Sequence, residues 1–152
     1  MTHEPLTDLL GAVRLRGAVF YYVSFRSEWA AESPPAREIA EAVMPGSEHV
    51  MEYHMVAKGS GWAAISGLQP VKLAARDVVM LPHGDAHVMS SAPGMQPERY
   101  DANWVFQTRD VPKPIPISYH HGVVHRGSAM PVADAETILV CGFLGCDLRP
   151  FN

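Results

Sequence analysis

Residues 76–91 read Arg-Asp-Val-Val-Met-Leu-Pro-His-Gly-Asp-Ala-His-Val-Met-Ser-Ser, and this stretch decides the fold. The apolar run Val78–Leu81 ends at Pro82, which has no amide hydrogen and cannot extend a paired central strand. Gly84 permits a tight turn with positive φ, and Asp85-Ala86 leads to His87 at the head of a second apolar run. The pattern predicts strand, turn, strand, with an imidazole delivered just inside the second strand.

Upstream, Glu48–Ala57 reads as extended, Gly59-Ser60-Gly61 as a turn, and Trp62–Ser66 as the returning hairpin partner. Gly17–Phe25 is β-branched and aromatic, and a short strand around Glu28–Glu32 carries Trp29. Two helices are expected: residues 5–13, where Leu6, Leu9, Leu10 and Val13 share a face, and residues 36–44, stopped by Pro45-Gly46. Downstream, Asn103–Thr108 reads as a strand by alternation. Pro112, Pro114 and Pro116 predict an extended, weakly paired segment, Gly122–His125 a short strand or turn, and Glu136–Phe143 a buried strand. Many short strands at turn-rich spacing mean an all-β barrel or sandwich of antiparallel sheets with one or two short helices.

Composition bounds the rest. The chain of 152 residues is long enough for one domain with its own core. A formal net charge of −4, with no run of Lys or Arg, argues against nucleic acid as a partner. Two cysteines, Cys141 and Cys146, make no disulfide framework. With no stretch near the roughly 20 apolar residues of a membrane span and no signal pattern, a cytoplasmic protein is expected.

The spacing Pro82-x-Gly84-x-x-His87, after Asp77-Val78-Val79-x-Leu81, resembles the second motif of the cupin superfamily. Arg76 stands where that motif has Gly, and Ser91 where it often has Asn. Further matching runs are Asp8-Leu-Leu, Val13 to Tyr21, Tyr53 to Trp62, and Thr137 to Phe143. Together they resemble the N-terminal effector-sensing domain of AraC-type transcription regulators, over nearly the whole chain. The resemblance implies a jelly-roll (double-stranded β-helix) barrel, residues 1–152 as a single domain, and a small-molecule effector. A homodimer is expected as well, from the apolar composition and several exposed-looking aromatics. Such regulators bind DNA through two helix-turn-helix motifs that follow the sensor, and residues 1–152 carry no such pattern.

The first cupin motif implies a site. Gly59 fits its glycine, counting back across six intervening residues lands on Glu52, and the expected His-x-His pair is missing. His54 is two residues after Glu52, and i and i+2 share a strand face. If Glu52 faces the interior, as the resemblance implies, so does His54. Glu52, His54 and His87 then form a two-histidine, one-carboxylate set suited to Zn, Ni, Fe or Mn, with Cys141 as a fourth candidate ligand. The alternative is a buried Glu–His pair satisfying its own hydrogen bonds. A bound metal is expected to be lost as pH falls through the imidazole range near 6.5. Tyr53 and Trp62 are candidate ligand contacts beside His54 and His87, and with Trp104 they could line a pocket or else are core. His120, His121 and His125 look like a metal tract, but the adjacent pair is expected on opposite strand faces, with one or two of the three at a surface or subunit contact. Two functions remain open: a non-catalytic sensor, or a metal-dependent cupin enzyme of dioxygenase or isomerase type.

Overall fold

The computed structural model describes residues 15–97 and 101–147; the helix expected at 5–13 lies outside them. In chain order the elements are β1 (Arg16–Arg26), β2 (Ala30–Ser33), α1 (Ala36–Val43), β3 (His49–Lys58), β4 (Ser60–Ile65), β5 (Val71–Ala74), β6 (Val78–Leu81), β7 (His87–Ser90), α2 (Ala102–Gln107), β8 (Ile115–His120), β9 (Val123–Arg126) and β10 (Thr137–Cys146).

Two sheets face each other as a flattened barrel. One has six strands in the order β6-β3-β10-β1-β8-β9; the other has four, β2-β7-β4-β5. Buried Phe25, Trp29, Val56, Leu73, Met89 and Leu139 fill the space between them, with Phe25 and Trp29 stacked at 3.9 Å between ring centroids. A second cluster closes one end, where Ile39, Val43 and Met44 of the α1 region meet Phe20, Val50, Val105 and Phe143.

The opening stretch behaves as its sequence predicts. β6 stops before Pro82, and Gly84 turns the chain at φ 61°. The glycine is required by contact as well as conformation, since a Cβ there would lie 2.6 Å from Ala36 Cβ and 2.7 Å from the Val50 carbonyl oxygen. Its own carbonyl accepts from the Ala36 amide at 2.8 Å, docking the start of α1 onto the turn that delivers His87. Arg76 keeps the tight turn without a glycine, at φ 82°, and its amide donates to the Val56 carbonyl at 2.8 Å. Ser91 accepts from the Trp29 amide through Oγ at 3.1 Å, fixing the entry to β2.

Four expectations need correction. Asn103–Thr108 lies in and just after a helix, α2, not a strand. Asp101 caps it by accepting from the Asn103 amide, and Thr108 Oγ donates back to the Trp104 carbonyl at 3.1 Å. The alternation of Trp104, Val105 and Phe106 mimics a strand only over a span too short to separate the two periods. The proline-rich segment runs into β8, which is paired on both sides, with β1 and with β9. Pro116 takes part through its carbonyl, which accepts from the Gly127 amide at 2.8 Å. The β1–β8 pairing is parallel, while every other pairing among the described residues is antiparallel. His121 leaves the strand at φ 48° and with Gly122 (φ 78°) forms the two-residue β8–β9 turn, the geometry that matches strand twist. The rings of His120 and His121 therefore lie side by side, 4.1 Å between centroids, and not on opposite faces.

Candidate metal centre

β3 supplies two of the three donors. Its even-numbered residues Val50, Glu52, His54 and Val56 are all buried, and Glu52 and His54 are only 4% and 3% exposed, as strand parity requires. The third donor comes from the facing sheet. His87 opens β7, 3% exposed, in register with Ser33 of β2 and Ile65 of β4. His54 Nε2 lies 2.6 Å from His87 Nε2; Glu52 Oε1 lies 3.4 Å from the first and 4.0 Å from the second. Among the described residues this is the cluster of His, Cys, Asp and Glu donors compact enough for a metal ion.

The hydrogen bonds around the donors set their protonation. The Asp85 carbonyl accepts from His87 Nδ1 at 2.9 Å, leaving His87 Nε2 as a lone pair turned toward His54 and Glu52. Ser33 Oγ donates to Glu52 Oε1 at 3.1 Å. Burial dominates the titration. It raises Glu52 from 4.5 to about 8, against the lowering effect of Ser33. It lowers His54 from 6.5 to about 3, helped by the neighbouring His87. His87 is also lowered by burial, against the bond and charge of Asp85. At neutral pH the cluster is therefore a protonated carboxyl beside two neutral imidazoles, with no net charge. That is what an apolar interior tolerates.

These residues fit a divalent ion in kind. Two imidazole nitrogens and one carboxylate suit Zn, Ni, Fe or Mn. Glu52 Oε1 is the oxygen that faces both ring nitrogens, while Glu52 Oε2 and His54 Nδ1 are buried with no hydrogen-bond partner. The 2.6 Å between the imidazole nitrogens is a hydrogen-bond distance. Two ligands on a tetrahedral ion at about 2.0–2.1 Å stand roughly 3.3 Å apart, so binding would part the rings slightly.

The other candidates sort by parity. Cys141 pairs with His54 across β10 and β3 and is buried; burial first, then nearby Glu52, holds its thiol well above its usual range. It stands outside the three-donor cluster. Tyr53 has the opposite parity to Glu52 and folds over Gly142 on the outer face, where a Cβ would come 2.4 Å from its Oη. Trp62 lies half-buried between buried Gly61 and Ala63, so it faces away from the interior. Neither is on the cavity wall.

That cavity, of about 250 Å³, runs between the sheets from Glu52 and His54 past Val23, Phe25, Met89 and Leu139 to a mouth formed by Asp101, Trp104, Tyr119 and Arg126. Trp104 stacks on Tyr21 at 5.5 Å, and the Arg126 guanidinium sits 4.5 Å from the Trp104 ring centroid. Tyr21, Ser33 and Arg126 escaped the sequence reading. Tyr21 was legible only as a strand aromatic, Ser33 as a breaker before two prolines, and Arg126 not at all.

A family model described as Cupin matches residues 4–152. The chain belongs to the cupin family. A search of curated proteins finds no match. Among solved structures the chain is similar to the Schizosaccharomyces pombe Cnp3 cupin domain, at 7% identity and a TM-score of 0.39, over 90% of this chain and 64% of that one. Glu52 and His54 lie two residues apart on one strand face, and the spacing of Glu52 before Gly59 and of His87 after Pro82 is what resembles the family's two motifs.

Proposed function

We propose that this cupin domain is the effector-sensing domain of an AraC-type transcription regulator, with a divalent metal or a small molecule held inside the barrel. The observation that supports it most is the pairing of an apolar cavity with Glu52 and His54 on its wall. Such a pocket orients a small ligand by a few polar groups and excludes water elsewhere. The whole-chain resemblance to AraC-type sensors supports the regulator role. Occupation of the site would bias a two-state arrangement between the partners of a homodimer. The described helices are eight and six residues long, so specific DNA contacts would belong to a separate helix-turn-helix domain.

When bound, a metal would supply Lewis acidity inside the barrel. The chain's own residues do the rest. Asp85 fixes the His87 tautomer, Ser33 holds Glu52 Oε1, and the aromatic mouth limits what reaches His54. The three-donor set favours a second reading, a metal-dependent enzyme of dioxygenase or isomerase type. The test is tryptophan fluorescence of the purified chain, with Trp104 at the mouth, titrated with Zn, Ni, Mn and Fe(II) and then with a small-molecule panel. A saturable change with every compound recovered intact supports the sensor. Conversion of a compound supports the enzyme, and no response to any addition contradicts both.

A further inference from the structure

The inner end of the cavity holds two polar atoms that the chain itself does not use. Glu52 Oε2 and His54 Nδ1 are buried with no hydrogen-bond partner, and both residues line the cavity. Buried polar atoms of this kind are costly until something bonds to them. The role of His54 Nδ1 is set from the other side of the barrel. His87 Nδ1 donates to the Asp85 carbonyl, so His87 Nε2 accepts and His54 Nε2 donates between the two rings. A neutral imidazole carries one N–H. With that hydrogen on Nε2, His54 Nδ1 is a lone pair and can only accept.

The rest of the wall restricts what can bring the donor. Val23, Phe25, Met89 and Leu139 line the cavity and offer no side-chain hydrogen bond. The several hydroxyls of a sugar would be stranded against them. Charge is disfavoured too. Glu32 and Asp101 line the cavity against one cation outside the donor cluster, Arg126, and its guanidinium already lies over the Trp104 ring. An anion would also meet the His54 lone pair, and a cation would have to leave water for an apolar wall. Size and shape complete the description. The cavity holds about 250 Å³, where an apolar cavity of about 150 Å³ takes benzene. The gap between two packed sheets, with Phe25 and Tyr119 on its walls, suits a flat molecule.

We propose that the metal-free barrel binds a flat, uncharged aromatic molecule of one or two rings with a single hydroxyl, of the phenol or naphthol class, whose O–H donates to His54 Nδ1. The hydroxyl oxygen can in turn accept from Glu52 Oε2 when that carboxyl holds its proton, which a ring N–H cannot do. The inference rests on the reading that the barrel holds a small molecule, and it names the class of that molecule.

The test is isothermal titration of the full, chelator-treated chain with naphthol, its methyl ether and naphthoate, joined to the nitrogen NMR resonance of His54 Nδ1 in histidine-labelled protein. The expected result is saturable binding of naphthol with an upfield shift of that resonance. The ether, which has the ring without the donor, should bind about tenfold or more weaker, and naphthoate should not bind. An ether bound as tightly as naphthol, with the resonance unmoved, overturns the hydrogen bond. Naphthoate bound as tightly overturns the uncharged class. Either result leaves a small molecule in the barrel. If none of the three binds while another compound of the effector panel does, the aromatic class falls and the barrel-held ligand stands. No binder of any kind overturns both.

Discussion

His54 Nε2 lies 2.6 Å from His87 Nε2, two imidazoles from opposite sheets meeting edge on inside the barrel. Because His87 Nδ1 donates to the Asp85 carbonyl, His87 Nε2 can only accept, and His54 Nε2 is the donor of the pair. One backbone carbonyl in the Pro82–His87 turn thus sets the protonation of both rings.

Replacing His87 by alanine removes one ligand and strands His54. The expected outcome is loss of metal uptake, with the chelator-treated fold retained but weakened by about 1–3 kcal/mol, the cost of an unpaired buried polar group. Elemental analysis and thermal melts of His87→Ala check both parts. Unchanged metal content would assign the metal elsewhere.

The chelator-treated protein should be most stable, as far as this cluster contributes, near pH 6.5. Glu52 keeps its proton up to about 8 in the fold, against 4.5 unfolded. Between 6.5 and 8 folding therefore takes up a proton, and stability falls as pH rises. His54 stays neutral down to about 3, against 6.5 unfolded, and His87 shifts the same way. Below 6.5 the proton that His54 releases on folding offsets the one that Glu52 takes up, and His87, lowered in the same direction, adds to the release, so stability falls as pH falls. Denaturant melts across this range should show the bell, and Glu52→Gln should flatten its alkaline side.

Arg76 holds a left-handed backbone at φ 82° that costs a side-chain-bearing residue about 1–2 kcal/mol. Arg76→Gly should stabilise the fold by up to about 1 kcal/mol, part of the relief being offset by the more flexible unfolded chain. A thermal melt showing a lower Tm would mean that Arg76 makes contacts worth more than the strain.

Lys113 Nζ donates to the carbonyls of Thr108, Arg109 and Val111 and sits 5.0 Å from the Phe20 ring centroid. It fastens the chain leaving α2 to the barrel end. Lys113→Met should cost about 1–2 kcal/mol, and hydrogen exchange should show protection lost first in residues 102–109. Uniform loss across the barrel would contradict this local role.

The barrel was legible because its punctuation is chemical. Pro82, Gly84 and Gly59 each force the chain where a strand must end or turn, and a Cβ at Gly59 would meet the Glu136 carbonyl at 2.2 Å. Glu52 and His54 were legible through strand parity, once a motif implied which face was inside. α2 was not, because six residues cannot separate a period of 2 from one of 3.6. The β1–β8 pairing was not, because strand partners far apart in sequence leave no local mark. Tyr53 and Trp62 read as aromatics that could line a pocket, and strand parity sends both outward. Burial also moves the pH dependence. The proton competing with a metal is that of Glu52, near 8, and not an imidazole proton near 6.5.

Isothermal titration of the purified chain with Zn(II) at mildly alkaline pH, in two buffers of different ionisation enthalpy, tests the metal centre most directly. The expected result is one ion per chain, abolished in His87→Ala, with close to one proton released per ion at neutral pH and fewer above about 8, where Glu52 is already ionised. Binding unchanged in His87→Ala, or no uptake by a chain whose melting is indifferent to chelator, would contradict it.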